Sequence, residues 1–133
     1  MAEQQQARDN APIYRVNKFT VPMEARATFL DILESTLALM REQAGFVRSL
    51  LLEQQAAPDL VQVVAVHEFT SDNAARHTLT AIADADREAG FDRPKVVAGL
   101  GIKVEMGNYH LLDMLPISMS ISARQKLRAG FPQ

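Results

Sequence analysis

The chain has 133 residues, 47% hydrophobic and 23% charged, with a formal net charge of -2, which is the balance of one modest globular domain. That charge leaves no electrostatic footprint for nucleic acid. With no cysteine, disulfides, thiolate metal sites and cysteine nucleophiles are excluded, in keeping with a cytoplasmic protein.

Residues 1–12 are polar and Gln-rich and lack the apolar core of a signal peptide, so they are expected to form a disordered tail. No later apolar run approaches the length needed to span a bilayer, and no membrane association is expected. From Ile13 to Val21 the chain is rich in strand formers, with Ile13, Phe19 and Val21 sharing a parity with Arg15 and Asn17 while Tyr14 and Val16 point the other way. A strand with apolar residues on both faces is commonly covered on both.

Pro22 suits the first turn of a helix, and Phe29, Ile32, Leu33, Thr36, Leu37 and Met40 follow at helical spacing before Gly45 supplies a C-cap. Phe46 to Glu53 and Leu60 to Phe69 read as a hairpin, turned by Gln54 to Asp59. Ser71 or Asp72 is placed to cap a second helix, with Ala75, Leu79, Ile82 and Ala83 on one face and a stop at Ala89-Gly90. Pro94 to Lys103 is a short helical or looped insertion, and a last strand runs near Val104 to Met114. Beyond Pro116, Ile117 to Gln133 forms a C-terminal extension, either packed on a partner subunit or mobile.

The order strand, helix, strand, strand, helix, strand is the split βαβ, ferredoxin-like unit of the α+β class. Residues 13–114 would hold this domain, between the tail at 1–12 and the extension at 115–133. A lone four-stranded sheet with two apolar faces would expose a large patch, so a homodimer is expected.

Three segments carry a family resemblance: Val16 to Val21, Ala44-Gly45-Phe46 opening the second strand, and Val64 to Ser71 running into the second helix. With them the sequence resembles the antibiotic biosynthesis monooxygenase superfamily, whose members are dimeric α+β barrels. The resemblance implies two sheets facing each other across a dimer and a small apolar or aromatic ligand between each sheet and its own helices. It implies oxygenation of an electron-rich aromatic, a quinol or polyphenol, without metal, flavin or other cofactor. In such chemistry the deprotonated substrate passes an electron to oxygen while the protein positions it and stabilises the anion. The aromatic-polyketide branch carries Asn, Trp and Tyr where this chain has Ala65, Phe69 and Ala75. The haem-degrading branch carries an Asn that Asn17 resembles, but its Trp and haem-ligating His fall at Thr78 and Glu88 here, with His77 one position away from Thr78.

Asn17, on the Phe19 side of its strand, is a candidate to donate its amide to a substrate oxygen, or else to satisfy a neighbouring backbone group. His67, in step with Val63 and Ala65, is a candidate pocket base with a pKa near neutral, or else a hydrogen-bonded structural histidine. Tyr109 and His110 are adjacent on a strand and face opposite ways, so at most one enters a given pocket, His110 being preferred. The three separated histidines show no metal-ligand spacing, and neither a phosphate-binding glycine loop nor a serine elbow is present. Two functions of different class follow: a cofactor-independent monooxygenase using Asn17 and a histidine, or a non-catalytic dimeric module for ligand binding or interaction. Haem degradation is a minor third.

Overall fold

The computed structural model describes residues 10–112. The sequence readings for residues 1–9 and for the extension at 115–133, together with Met114, lie outside the described residues.

Four strands form one antiparallel sheet in the order β2-β3-β1-β4, with β1 Ile13–Pro22, β2 Phe46–Ala57, β3 Leu60–Phe69 and β4 Lys103–Tyr109. The helices α1 Arg26–Arg41, α2 Asp72–Ala89 and α3 Arg93–Gly99 complete the βαββαβ order of a ferredoxin-like α+β fold. None of the described helices is long and apolar enough to cross a membrane.

Chain chemistry sets most boundaries. Pro22 closes β1 rather than opening a helix, since a residue without an N–H is tolerated where the ladder ends. A 3-10 turn over Met23–Ala25 then leads into α1. Along α1, Phe29, Leu33, Leu37 and Met40 are buried, with Ile32 and Thr36 half-buried beside them. Ser71 caps α2 by accepting from the Ala74 N–H at 3.0 Å, and Gly90 ends it at φ 65, the left-handed conformation that glycine adopts without strain. The buried stripe of α2 is Ala75, Thr78 and Ile82; Ala83 is exposed, one position off the stripe.

Two strands differ from the sequence reading. β2 continues through Gln54, Gln55 and Ala57 and leaves only Pro58-Asp59 as the turn. On an edge strand these side chains face solvent while the backbone keeps its partner, so their polarity does not end the ladder. β4 stops at Tyr109, opposite Tyr14, because β1 has almost no strand left beyond that pair.

The register sorts the side chains. Facing the helices are Ile13, Arg15, Asn17, Phe19 and Val21 of β1, opposite Phe69, His67, Ala65, Val63 and Val61 of β3. Phe19, Val21, Val61, Val63 and Ala65 join Phe29, Leu33, Leu37, Met40, Ile82 and Ile102 in the main core, and Ile13, Phe69 and Ala75 form a smaller one. His67 sits on β3 between the two.

Candidate functional site

A cavity of about 430 Å³ lies between the sheet and its helices, within the range of small-molecule sites. Its wall is mostly apolar: Phe19, Phe29, Ile32, Leu33, Met40, Leu79, Ile82, Val97, Ile102 and Val104. Five polar residues interrupt it, namely Arg15, Asn17, Thr36, His67 and Arg93.

β1 supplies Asn17. Its strand parity turns it towards the helices, where it is buried, and its Oδ1 is sealed from solvent without a hydrogen-bond partner. It is the sole buried side-chain nitrogen or oxygen in that state among the described residues. A buried amide left unpaired costs free energy, so folding holds this one against the cavity at a cost.

β3 supplies His67, 1% exposed, whose Nδ1 lies 2.6 Å from Ser49 Oγ on β2. Burial, and then the positive charge of Arg15 across the ladder, lower its pKa to about 4. The imidazole is therefore neutral at ordinary pH, not a base poised near neutrality. In the tautomer whose Nδ1 accepts from the Ser49 hydroxyl, Nε2 carries the proton and is a donor.

Arg93 opens α3 and is held by Asp86 of α2, Nε to Oδ2 at 2.8 Å and Nη2 to Oδ1 at 3.0 Å, while Nη1 donates to Thr36 Oγ1 of α1 at 2.9 Å. This fork ties three helices together and neutralises the guanidinium. Arg15 donates from Nη1 to Asn108 Oδ1 at 3.3 Å and from Nη2 to Met106 Sδ at 3.1 Å.

Asn17 and His67 thus line one cavity. His110 does not line it; it follows the end of β4 and is exposed. Tyr109 faces the open side of the sheet, and His77 is exposed on α2 outside the cavity wall. Strand parity puts Arg15 on the side of Asn17 and helical spacing puts Thr36 on the inner stripe of α1, whereas Arg93 and Ser49 depend on contacts between elements. Among the described residues, no group of three His, Asp or Glu side chains is placed to hold a metal ion.

The arrangement suits an aromatic: two phenylalanine rings, Phe19 and Phe29, lie 4.8 Å apart in the wall, and an amide and a neutral imidazole are available for one or two oxygens. Solved structures share it as a fold. SnoaB, a cofactor-independent oxygenase from Streptomyces nogalater, is 26% identical and superposes with a TM-score of 0.59 over 80% of this chain and 98% of its own. A SnoaB variant with one alanine substitution is 27% identical at the same TM-score, covering 79% and 97%. The chain has the ferredoxin-like fold of the antibiotic biosynthesis monooxygenase superfamily. A dimeric ferredoxin-like protein from an uncultured marine organism superposes at 12% identity and TM-score 0.57, over 78% of this chain and 99% of that one, a likeness of fold. No family model matches the sequence, and no curated protein does.

Proposed function

We propose that this chain is a cofactor-independent monooxygenase that oxidises a quinol or polyphenolic small molecule in the cavity between sheet and helices. The observation that carries the reading is the unpaired, buried amide of Asn17 in the wall of an otherwise apolar cavity. A substrate hydroxyl would give that amide its missing partner.

The substrate hydroxyl donates to Asn17 Oδ1, which positions it, and once that proton has passed to solvent the anion is held by donors, the Asn17 Nδ2 amide and the neutral His67. At a pKa of about 4, His67 serves as a hydrogen-bond donor to the developing anion and not as the proton acceptor. The electron-rich ring passes one electron to dioxygen, and the resulting radical pair combines into a carbon–oxygen bond. The O–O bond then breaks, one oxygen stays on the ring as a carbonyl, and the other leaves as water, taking the ring proton and the proton released earlier from the reacting hydroxyl. Quinol and dioxygen go to hydroxyquinone and water, the substrate supplying all four electrons. The apolar wall fixes the ring and excludes competing water.

The same reading makes the protein a homodimer. The sheet face turned away from the helices carries Tyr14, Val16, Leu50, Leu52, Val64 and Val66, and no described element covers it. Soluble chains rarely leave such a patch open, and a second copy closes it.

Ala65 and Phe69, apolar where the aromatic-polyketide branch has Asn and Trp, favour a second reading: a dimeric module that binds an aromatic ligand without turning it over. Oxygen uptake by the metal-stripped full chain decides between them, with 1,4-dihydroxynaphthalene and related polyphenols as substrates and Asn17→Ala alongside. Saturable uptake above autoxidation, lost in the variant, is expected. Ligand binding with no uptake across the panel would instead establish the binding module.

A further inference from the structure

The cavity carries one uncompensated charge. Of its two arginines, Arg93 is neutralised by the two-point contact with Asp86, whereas Arg15 has only an amide oxygen and a thioether as acceptors and forms no ion pair among the described residues. Among the described residues no carboxylate lines the wall. Arg15 is half-buried, and its two acceptors place the guanidinium towards β4, at the edge of the cavity, where Met106 and Asn108 are exposed. Two residues of strand separate it from Asn17 on the same face, a span of roughly 7 Å.

We propose that Arg15 is a specificity-determining residue that binds a carboxylate on the ligand, so that the cavity takes an aromatic acid in preference to an uncharged aromatic. This rests on the oxygenase reading only for the identity of the reaction, not for the binding itself. The ring lies in the apolar wall with its reacting oxygen at Asn17, and the acid group reaches the β4 edge. A planar guanidinium fork matches a carboxylate in two-point geometry, and the weak thioether acceptor is readily exchanged for a charged oxygen. After burial itself, Arg15's charge is the second cause that keeps His67 neutral, so the guanidinium's field reaches the cavity floor.

Binding of matched probes to the full chain by calorimetry tests this independently of turnover. Wild type is expected to bind 2-naphthoate at least about tenfold more tightly than 2-naphthamide, the scale of one charge-assisted contact. Arg15→Gln should erase that preference by weakening naphthoate far more than naphthamide, and Arg15→Lys should keep part of it, because the point charge remains. Equal affinities in wild type, a preference that survives Arg15→Gln, or no binding of either probe overturns the assignment. Uptake of oxygen with uncharged quinols in a protein that shows no acid preference sinks the Arg15 proposal alone. An acid preference without uptake sinks the oxygenase reading alone.

Discussion

Ser49 Oγ and His67 Nδ1 lie 2.6 Å apart across the β2–β3 ladder, so an edge-strand hydroxyl fixes the ring of a buried histidine. The contact occupies Nδ1 of a residue that also lines the cavity. Structure and site are coupled there, because the group that satisfies one ring nitrogen also chooses what the other presents.

Ser49→Ala strips Nδ1 of that partner inside the fold. A buried polar group left unpaired costs on the order of 1–3 kcal/mol, and Ser49→Ala is expected to lose that much in urea denaturation. Ser49→Thr, which keeps the hydroxyl, should lose much less. Equal stability of all three proteins would mean that the hydroxyl contributes nothing.

His67 also makes stability depend on pH. Its folded pKa of about 4 lies below the ordinary value of 6.5, so the unfolded chain takes up the proton first. The folded state is therefore fully favoured above pH 6.5, loses stability as pH falls towards 4, and loses no more through this group below that. The span corresponds to roughly 3 kcal/mol. Comparing His67→Gln with wild type at pH 7.5 and pH 4.5 isolates it from the carboxylates, and the variant should show the shallower decline. Parallel declines would show that His67 titrates normally.

Asn17→Leu separates function from stability. Replacing an unpaired buried amide by an apolar group of similar size removes a desolvation cost, so the variant is expected to be as stable as wild type or about 1 kcal/mol more stable. Its oxygen uptake should be abolished. A variant that loses stability in step with activity would identify Asn17 as a structural residue.

Much of the architecture is legible in residue patterns because it depends on local rules. Parity along β1 separates Asn17 from Tyr14, helical spacing gives the buried stripe of α1, and Ser71 and Gly90 mark the ends of α2 by their caps. The length of β2 is not, because a polar edge strand and a polar turn have the same composition, and only its pairing with β3 tells them apart. The site follows the same division. Asn17 and His67 each carry a local signal, but that Ala65 stands opposite Asn17, and His67 opposite Arg15, is a matter of register between strands 50 residues apart in sequence, which one chain does not state. His110 fails for a simpler reason: it lies just past Tyr109, where the pairing of β4 with β1 ends.

Gly45 sets the spacing between β2 and α2. Its φ of +85 lies in the left-handed region, its carbonyl accepts from the Thr70 N–H at 2.8 Å, and a Cβ there would overlap Ala74 Cβ on the first turn of α2 and come within 2.9 Å of Thr70 Oγ1. Neither neighbour is the end of a flexible chain. Gly45→Ala is thus expected to cost about 2 kcal/mol or more, the sum of left-handed strain and displacement of the helix start. Amide exchange in the first turn of α2 should accelerate more than in α1. An unchanged melting temperature would show that the turn relaxes freely.

Among the described residues the sheet face turned away from the helices is left uncovered. Leu52 is 56% exposed and Leu50 49%, both on the side away from the helices, whereas Leu51 between them faces the helix side. Burying such side chains against a second copy stabilises by about 25 cal/mol per Å² of apolar surface, and a lysine in their place puts a charge in the middle of that contact. Wild type is expected to sediment as a dimer, Leu52→Lys as a monomer, and Leu51→Lys as a dimer, since one step along the strand moves the charge to the opposite face. A monomeric wild type would refute the pairing, and a dimer that tolerates Leu52→Lys but not Leu51→Lys would put the interface on the helix side.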